Sequence, residues 1–133
     1  MADGDHDETY PDRQVGARFG RWTSTVTDQY VPYLLPQEHG AHQGVRRFTL
    51  TDEDGRGLAV SAEEPFSFSA SHFSAEDLAA ADTTADLRPR DEVVVHLDVA
   101  LRGLGTGACG PDTLPEYRVG GGTYRWRWTL TPI

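Results

Sequence analysis

Cys109 is the only thiol in the chain, and it stands in a glycine-dense run, Gly103-Leu104-Gly105-Thr106-Gly107-Ala108-Cys109-Gly110-Pro111. A nucleophilic thiol needs a histidine base oriented by a third group. His96 lies on the segment leading into the loop, so one base is on the same path, but sequence spacing shows no such trio. Gly103-x-Gly105-x-Gly107 invites comparison with a phosphate cradle, yet those loops open a helix whose N-terminus holds the anion. Here Cys109-Gly110-Pro111-Asp112 follows, with no helix. His39 and His42 have the spacing of one helical turn, but Gly40 between them disfavours a helix and no third donor is near, so they read as loop histidines rather than metal ligands. The acids Glu8, Glu38, Asp52, Glu53, Asp54, Glu63 and Glu64 could supply a general acid and a base across a scissile bond. No pair among them is marked, and solvated turns account for most. Trp126 and Trp128 could stack on a sugar ring or another apolar partner if exposed, whereas their alternation with Arg125 and Arg127 favours a core face.

The elements that must position these residues are mostly strands. Residues 1–9 carry four acids without apolar periodicity and read as a loose lead-in, with order expected from near Tyr10. Tyr10-Pro11-Asp12-Arg13 has turn chemistry, and Phe19 to Val26 reads as extended. Two prolines in Tyr30-Val31-Pro32-Tyr33-Leu34-Leu35-Pro36 exclude a helix and leave an edge or an irregular path. Gln37-Glu38-His39-Gly40 then turns the chain. Val45 to Thr51 alternates, with Val45, Arg47, Thr49 and Thr51 on one side and Arg46, Phe48 and Leu50 on the other. Asp52-Glu53-Asp54-Gly55 signals a hairpin, after which Leu58, Val60 and Ala62 line a returning strand. Phe66 to Ala70 reads as a further half-buried strand. The single helix is short, Ser74 to Ala81, with Ser74 as N-cap and Glu76 and Asp77 in the first turn. Beyond the turn at Arg88-Pro89-Arg90, Glu92 to Val99 reads as a strand with Val93, Val95, Leu97 and Val99 on one face. Thr123 to Leu130 has a clear period of two, with Tyr124, Trp126, Trp128 and Leu130 together.

The 133 residues suit one domain able to bury a core without disulfides or metal. Fourteen glycines and eight prolines announce many turns, which favours β-structure. A formal charge of −9, with the twelve basic residues, all arginine, scattered along the chain, argues against nucleic acid and anionic membranes. No apolar run approaches the ~20 residues that span a bilayer. With no signal peptide or lipidation motif at the N-terminus, the expectation is a soluble cytoplasmic protein. About six strands with hairpin-length connections imply antiparallel sheets.

Five motifs, taken in order, resemble one family: Tyr10-Pro11-Asp12-Arg13, Pro36-Gln37-Glu38-His39-Gly40, Phe66-Ser67-Phe68-Ser69-Ala70, Gly103 to Pro111, and Tyr117-Arg118-Val119. From about Glu8 to Leu130 the chain is similar to the C-terminal end of the large bacterial β-galactosidases of glycoside hydrolase family 2, the region called the small chain. The resemblance implies an all-β, antiparallel β-supersandwich of the galactose-mutarotase-like type, here its C-terminal half over residues 10–133, with one short helix. It also implies that the acid/base and nucleophile glutamates lie in a (β/α)₈ barrel absent from this chain, which would be inactive alone and hold no catalytic residue. The family's magnesium and sodium ions are implied to bind mainly outside this segment, leaving this chain without a cofactor. By the same resemblance the glycine loop reaches the mouth of the barrel, so Gly107, Ala108, Cys109 and Gly110 are the expected contacts with a β-galactoside. Some relatives place a tryptophan where Cys109 stands. A thiol has no aromatic face, so stacking there should be weaker. Glu38-His39-Gly40 and Tyr10 to Arg13 are expected to fix the fold, with Asp12 and Arg13 bonded to backbone or to each other. Expected partners are the barrel-bearing remainder of the enzyme or a second copy of the chain. Alternatives are a stand-alone galactoside-binding module and a purely structural segment.

Overall fold

Alternating apolar residues and turn-forming Gly, Asp and Pro produce an antiparallel sheet. The computed structural model describes residues 2–5, 19–102, 107 and 110–133. Its strands are β1 (Ala2–Asp5), β2 (Phe19–Trp22), β3 (His42–Thr51), β4 (Gly57–Ser71), β5 (Val94–Asp98) and β6 (Trp128–Pro132), with one helix, α1 (Ala75–Ala80). Among the described residues they form a single sheet in the order β2-β1-β3-β4-β5, and β6 also pairs with β4. Every pairing is antiparallel. This is the all-β, antiparallel class with one short helix that the sequence implies.

The fifteen-residue β4 organises the sheet. One of its edges is paired to β3. The other is shared by β6, from Leu58 to Ala62, and by β5, from Ser67 to Ser71. The two expected strands at Leu58–Ala62 and Phe66–Ala70 are thus halves of one strand. What reads as an interruption is a bulge. Between Val45↔Phe66 and Arg47↔Ser61 the register advances two residues along β3 and five along β4, so Ala62-Glu63-Glu64-Pro65 arches out of the ladder. Proline, with no N–H to donate, is tolerated at such a point.

A second irregularity corrects the expected faces of β3. Register shifts on either side of Val45, next to Gly44 at φ +64°, bury both Val45 and Phe48, which strict alternation would separate. The core contains Val45, Phe48, Val60, Phe66, Phe68 and Ala70. Phe48 stacks on Phe68 with ring centroids 3.9 Å apart, and His42 stacks on the same ring at 4.7 Å. Burying each of the two phenyl rings is worth roughly 1.5–3 kcal/mol. A smaller cluster of Leu78, Ala81 and Leu87 lies under α1, packed against Tyr30 and Phe73.

Three other expectations change. Within the expected lead-in, Ala2–Asp5 is a strand between β2 and β3. The valine-rich segment yields only Val94–Asp98, and because β5 is an edge strand Val93 and Val95 remain exposed. The C-terminal strand begins at Trp128 rather than Thr123, because Ala62↔Trp128 is the last pair before β4 bulges away. Trp126 and Trp128 still pack against the core, while Tyr124 and Leu130, expected on the same face, are exposed. The segment from Tyr30 to Pro36 is irregular, as its prolines require. Tyr10 to Arg13 lies outside the described residues. No helix among the described residues is long and apolar enough to cross a membrane.

Candidate functional site

The glycine loop leaves the sheet just after β5 and is tied at both ends. Arg102, before the loop, forms an ion pair with Asp112, after it. Arg118 reaches the other oxygen of Asp112 at 3.2 Å, and its Nε donates to the Thr113 carbonyl at 2.7 Å. The backbone N–H of the fully buried Thr113 donates to Asp112 Oδ1 at 2.8 Å. That N–H, aided by the two guanidiniums, holds the Asp112 carboxyl below its ordinary pKa. A 3₁₀ turn at Pro115–Tyr117 sets Arg118 for this role, its carbonyl at Pro115 accepting from the Arg118 N–H at 3.3 Å. One carboxylate thus gathers two arginines at the base of the loop.

Of the four expected sugar contacts, Ala108 and Cys109 lie outside the described residues. Gly107 and Gly110 are exposed. Gly107 has φ +71°, a conformation that favours glycine over any residue bearing a Cβ.

Beside the loop's point of departure is a recess of about 150 Å³ between β4, β5 and α1. Glu38, His39, Ser69, His96 and Asp98 supply its polar lining, and Phe73, Leu78 and Leu101 its apolar side. The β4–β5 register pairs Ser69 with His96. Burial raises the Asp98 pKa and Glu38 adds to the rise, while His96 opposes it. Burial lowers that of His39, whose two ring nitrogens are buried without a hydrogen-bond partner among the described residues. His39 meets Tyr30 edge-on at 5.1 Å, whereas His42 is buried on Phe68, so the two histidines serve different packings. No group of three or more His, Cys, Asp and Glu residues among those described is placed to hold a metal ion.

A larger groove of about 530 Å³ lies on the far half of β4, between the bulge and the chain entering β6. Its lining comprises Ser61, Ala62, Glu63, Glu64, Arg125, Trp126, Arg127 and Thr129. The indole N–H groups of Trp126 and Trp128 are buried without an acceptor. Other acids singled out in the sequence do turn work: Asp52 Oδ1 accepts from the Arg56 N–H at 2.9 Å, and Asp54 pairs with Arg56 at 2.7 Å.

Sequence reasoning missed the Arg102–Asp112–Arg118 clamp and the recess formed by Glu38, His96 and Asp98. Their members are separated along the chain and carry no spacing signature. The advance signs were the placing of Arg118 within Tyr117-Arg118-Val119, His96 on the segment leading into the loop, and Glu38 among the candidate acids.

Comparison with known proteins places the chain in a family. The family described as "Beta galactosidase small chain" matches residues 3–130. A β-galactosidase of Actinobacillus pleuropneumoniae is 32% identical over 123 residues, 92% of this chain and 12% of that protein. One from Streptococcus thermophilus is 36% identical over 108 residues, covering 80% and 10% respectively. One from Kluyveromyces lactis is 32% identical over 124 residues, covering 92% and 12%. The chain therefore spans about a tenth of the length of these relatives and matches one segment of theirs over 80–92% of its own length: it belongs to the β-galactosidase small-chain family.

Proposed function

We propose that the chain is a non-catalytic, C-terminal segment of a β-galactosidase of glycoside hydrolase family 2, acting on terminal β-D-galactosides such as lactose. It lends the loop of residues 103–111 to a sugar site whose reacting carboxylates are carried elsewhere. The observation that carries this reading is the match over residues 3–130 to a small-chain segment that makes up 10–12% of each relative named above. The clamp supports it, because a loop pinned at its base and exposed at Gly107 and Gly110 can approach a ligand closely. Gly107, Ala108, Cys109 and Gly110 make the contact, and Cys109 gives less apolar area than an aromatic residue would. The partner is the remainder of the enzyme, in the cytoplasm. Family magnesium and sodium ions belong to that remainder.

The purified chain should not hydrolyse nitrophenyl β-galactoside. Mixed with a β-galactosidase lacking its small-chain segment, it should restore turnover. Hydrolysis by the chain alone, abolished by one substitution in it, would overturn the reading.

A further inference from the structure

The groove on the far half of β4 exists because two strands part there. β6 pairs with β4 only as far as Ala62↔Trp128, and β5 takes up the same edge only at Ser67. Between them Glu63-Glu64-Pro65 arches outward, and residues 125–127 run unpaired although their sequence alternates like a strand. The gap has Glu63 and Glu64 on one lip and Arg125 and Arg127 on the other, all exposed. Among the described residues no ion pair joins the lips, although acids and arginines line the same space. Between the lips lie the half-buried indole of Trp126 and the hydroxyls of Ser61 and Thr129, which are register partners.

Each part suits one ligand chemistry. Two carboxylates and two guanidiniums cancel in charge, so a charged ligand gains little net attraction. Planar carboxylates and guanidiniums accept and donate paired hydrogen bonds to neighbouring hydroxyls. An indole offers a broad apolar surface to the C–H face of a ring. A volume of about 530 Å³ is within the range of small-ligand sites and exceeds what one small additive needs.

We propose that this groove is a saccharide-binding site for a neutral oligosaccharide of one or two pyranose rings, stacked on Trp126 and hydrogen-bonded by Glu63, Glu64, Arg125 and Arg127. It shares no residue with the glycine loop and does not depend on the loop's role in a galactosidase.

The test is titration of the full chain with lactose while the three tryptophan indole N–H signals are followed by NMR, with glycerol as a hydroxyl-rich control lacking a ring. Expected is a saturable shift of the Trp126 signal at millimolar lactose, with Trp22 unmoved and glycerol without effect. The double variant Glu64→Gln with Arg127→Gln keeps the indole in place and should weaken binding several-fold. Trp126→Ala should abolish it; should that variant not fold, the double variant decides. The readout is the Trp126 indole signal rather than total binding, which separates this site from the loop. No saturable shift, an equal response to glycerol, or unchanged lactose binding in the double variant would overturn the proposal.

Discussion

Asp77 does three things with one carboxylate. Its Oδ2 accepts from the Ser74 N–H at 2.8 Å, while its own N–H donates to the Ser74 hydroxyl at 3.2 Å, closing a reciprocal cap on α1. Both carboxylate oxygens also take a bidentate pair from Arg90, at 2.5 and 2.8 Å, which ties the helix to the chain before β5. The Arg90 guanidinium first, and the Ser74 N–H second, hold the Asp77 carboxyl well below the usual carboxylate range. The folded state therefore binds fewer protons than the unfolded one at acid pH, and stability rises with pH through that window. The Asp77 contribution is complete above the unfolded carboxyl pKa of about 4 and is lost as pH falls from there toward the native value. Asp77→Asn should flatten the acid limb of the melting temperature against pH; an acid limb as steep as the parent's would refute this. Ser74 and Asp77 were legible in the sequence because a cap is local. Arg90 was not, because the pair is made thirteen residues away by a turn that only the folded chain brings round.

At the scale of elements, Gly57 is where three strands meet. It pairs with Thr51 across the hairpin, and on its other side it exchanges two hydrogen bonds with Ile133, at 2.8 and 3.0 Å. A Cβ added to Gly57 would sit 1.8 Å from the Leu50 carbonyl oxygen, so backbone must move. Gly55, two residues earlier in the turn, has φ +80° and open space around it. Gly55→Ala should cost only about 1–2 kcal/mol, from left-handed backbone strain. Gly57→Ala should cost about 3 kcal/mol or more, since overpacking is here added to ladder disruption. Urea unfolding of the two variants checks the order, and equal losses would refute it. The hairpin itself was readable from Asp52-Glu53-Asp54-Gly55. The strand boundaries were not, because period-two alternation reports which residues are able to pair, whereas pairing ends where the partner bulges. Trp126 illustrates this: its segment keeps the alternation and loses the ladder at Ala62.

On the scale of the molecule, the sheet of the described residues has loops, 3₁₀ turns and one short helix with which to cover its apolar residues. Leu34 is 83% exposed, and Tyr33 and Leu35 are each 60% exposed in one uncharged run. Val93 and Val95 add apolar surface along the β5 edge. Surfaces and edges of this kind associate. Sedimentation of the isolated chain should show concentration-dependent self-association, reduced by Leu34→Lys with Leu35→Lys; a monodisperse monomer at all concentrations would refute it. The all-β class and the family were legible because strand patterns and five ordered motifs extend through the chain. The clamp and the recess were not, since the clamp closes a loop and the recess forms where β4, β5 and α1 meet, both from residues distant in sequence. The clamp also bears on how the loop can change over time. With Arg102 and Asp112 joined, the span between the loop's ends is preset by the fold. Residues added or removed between them alter the closure entropy only slowly, by about 0.6 kcal/mol for a doubling of length. The length of the loop is thereby uncoupled from the stability of the sheet, leaving this segment free to vary in length while its anchor stays fixed.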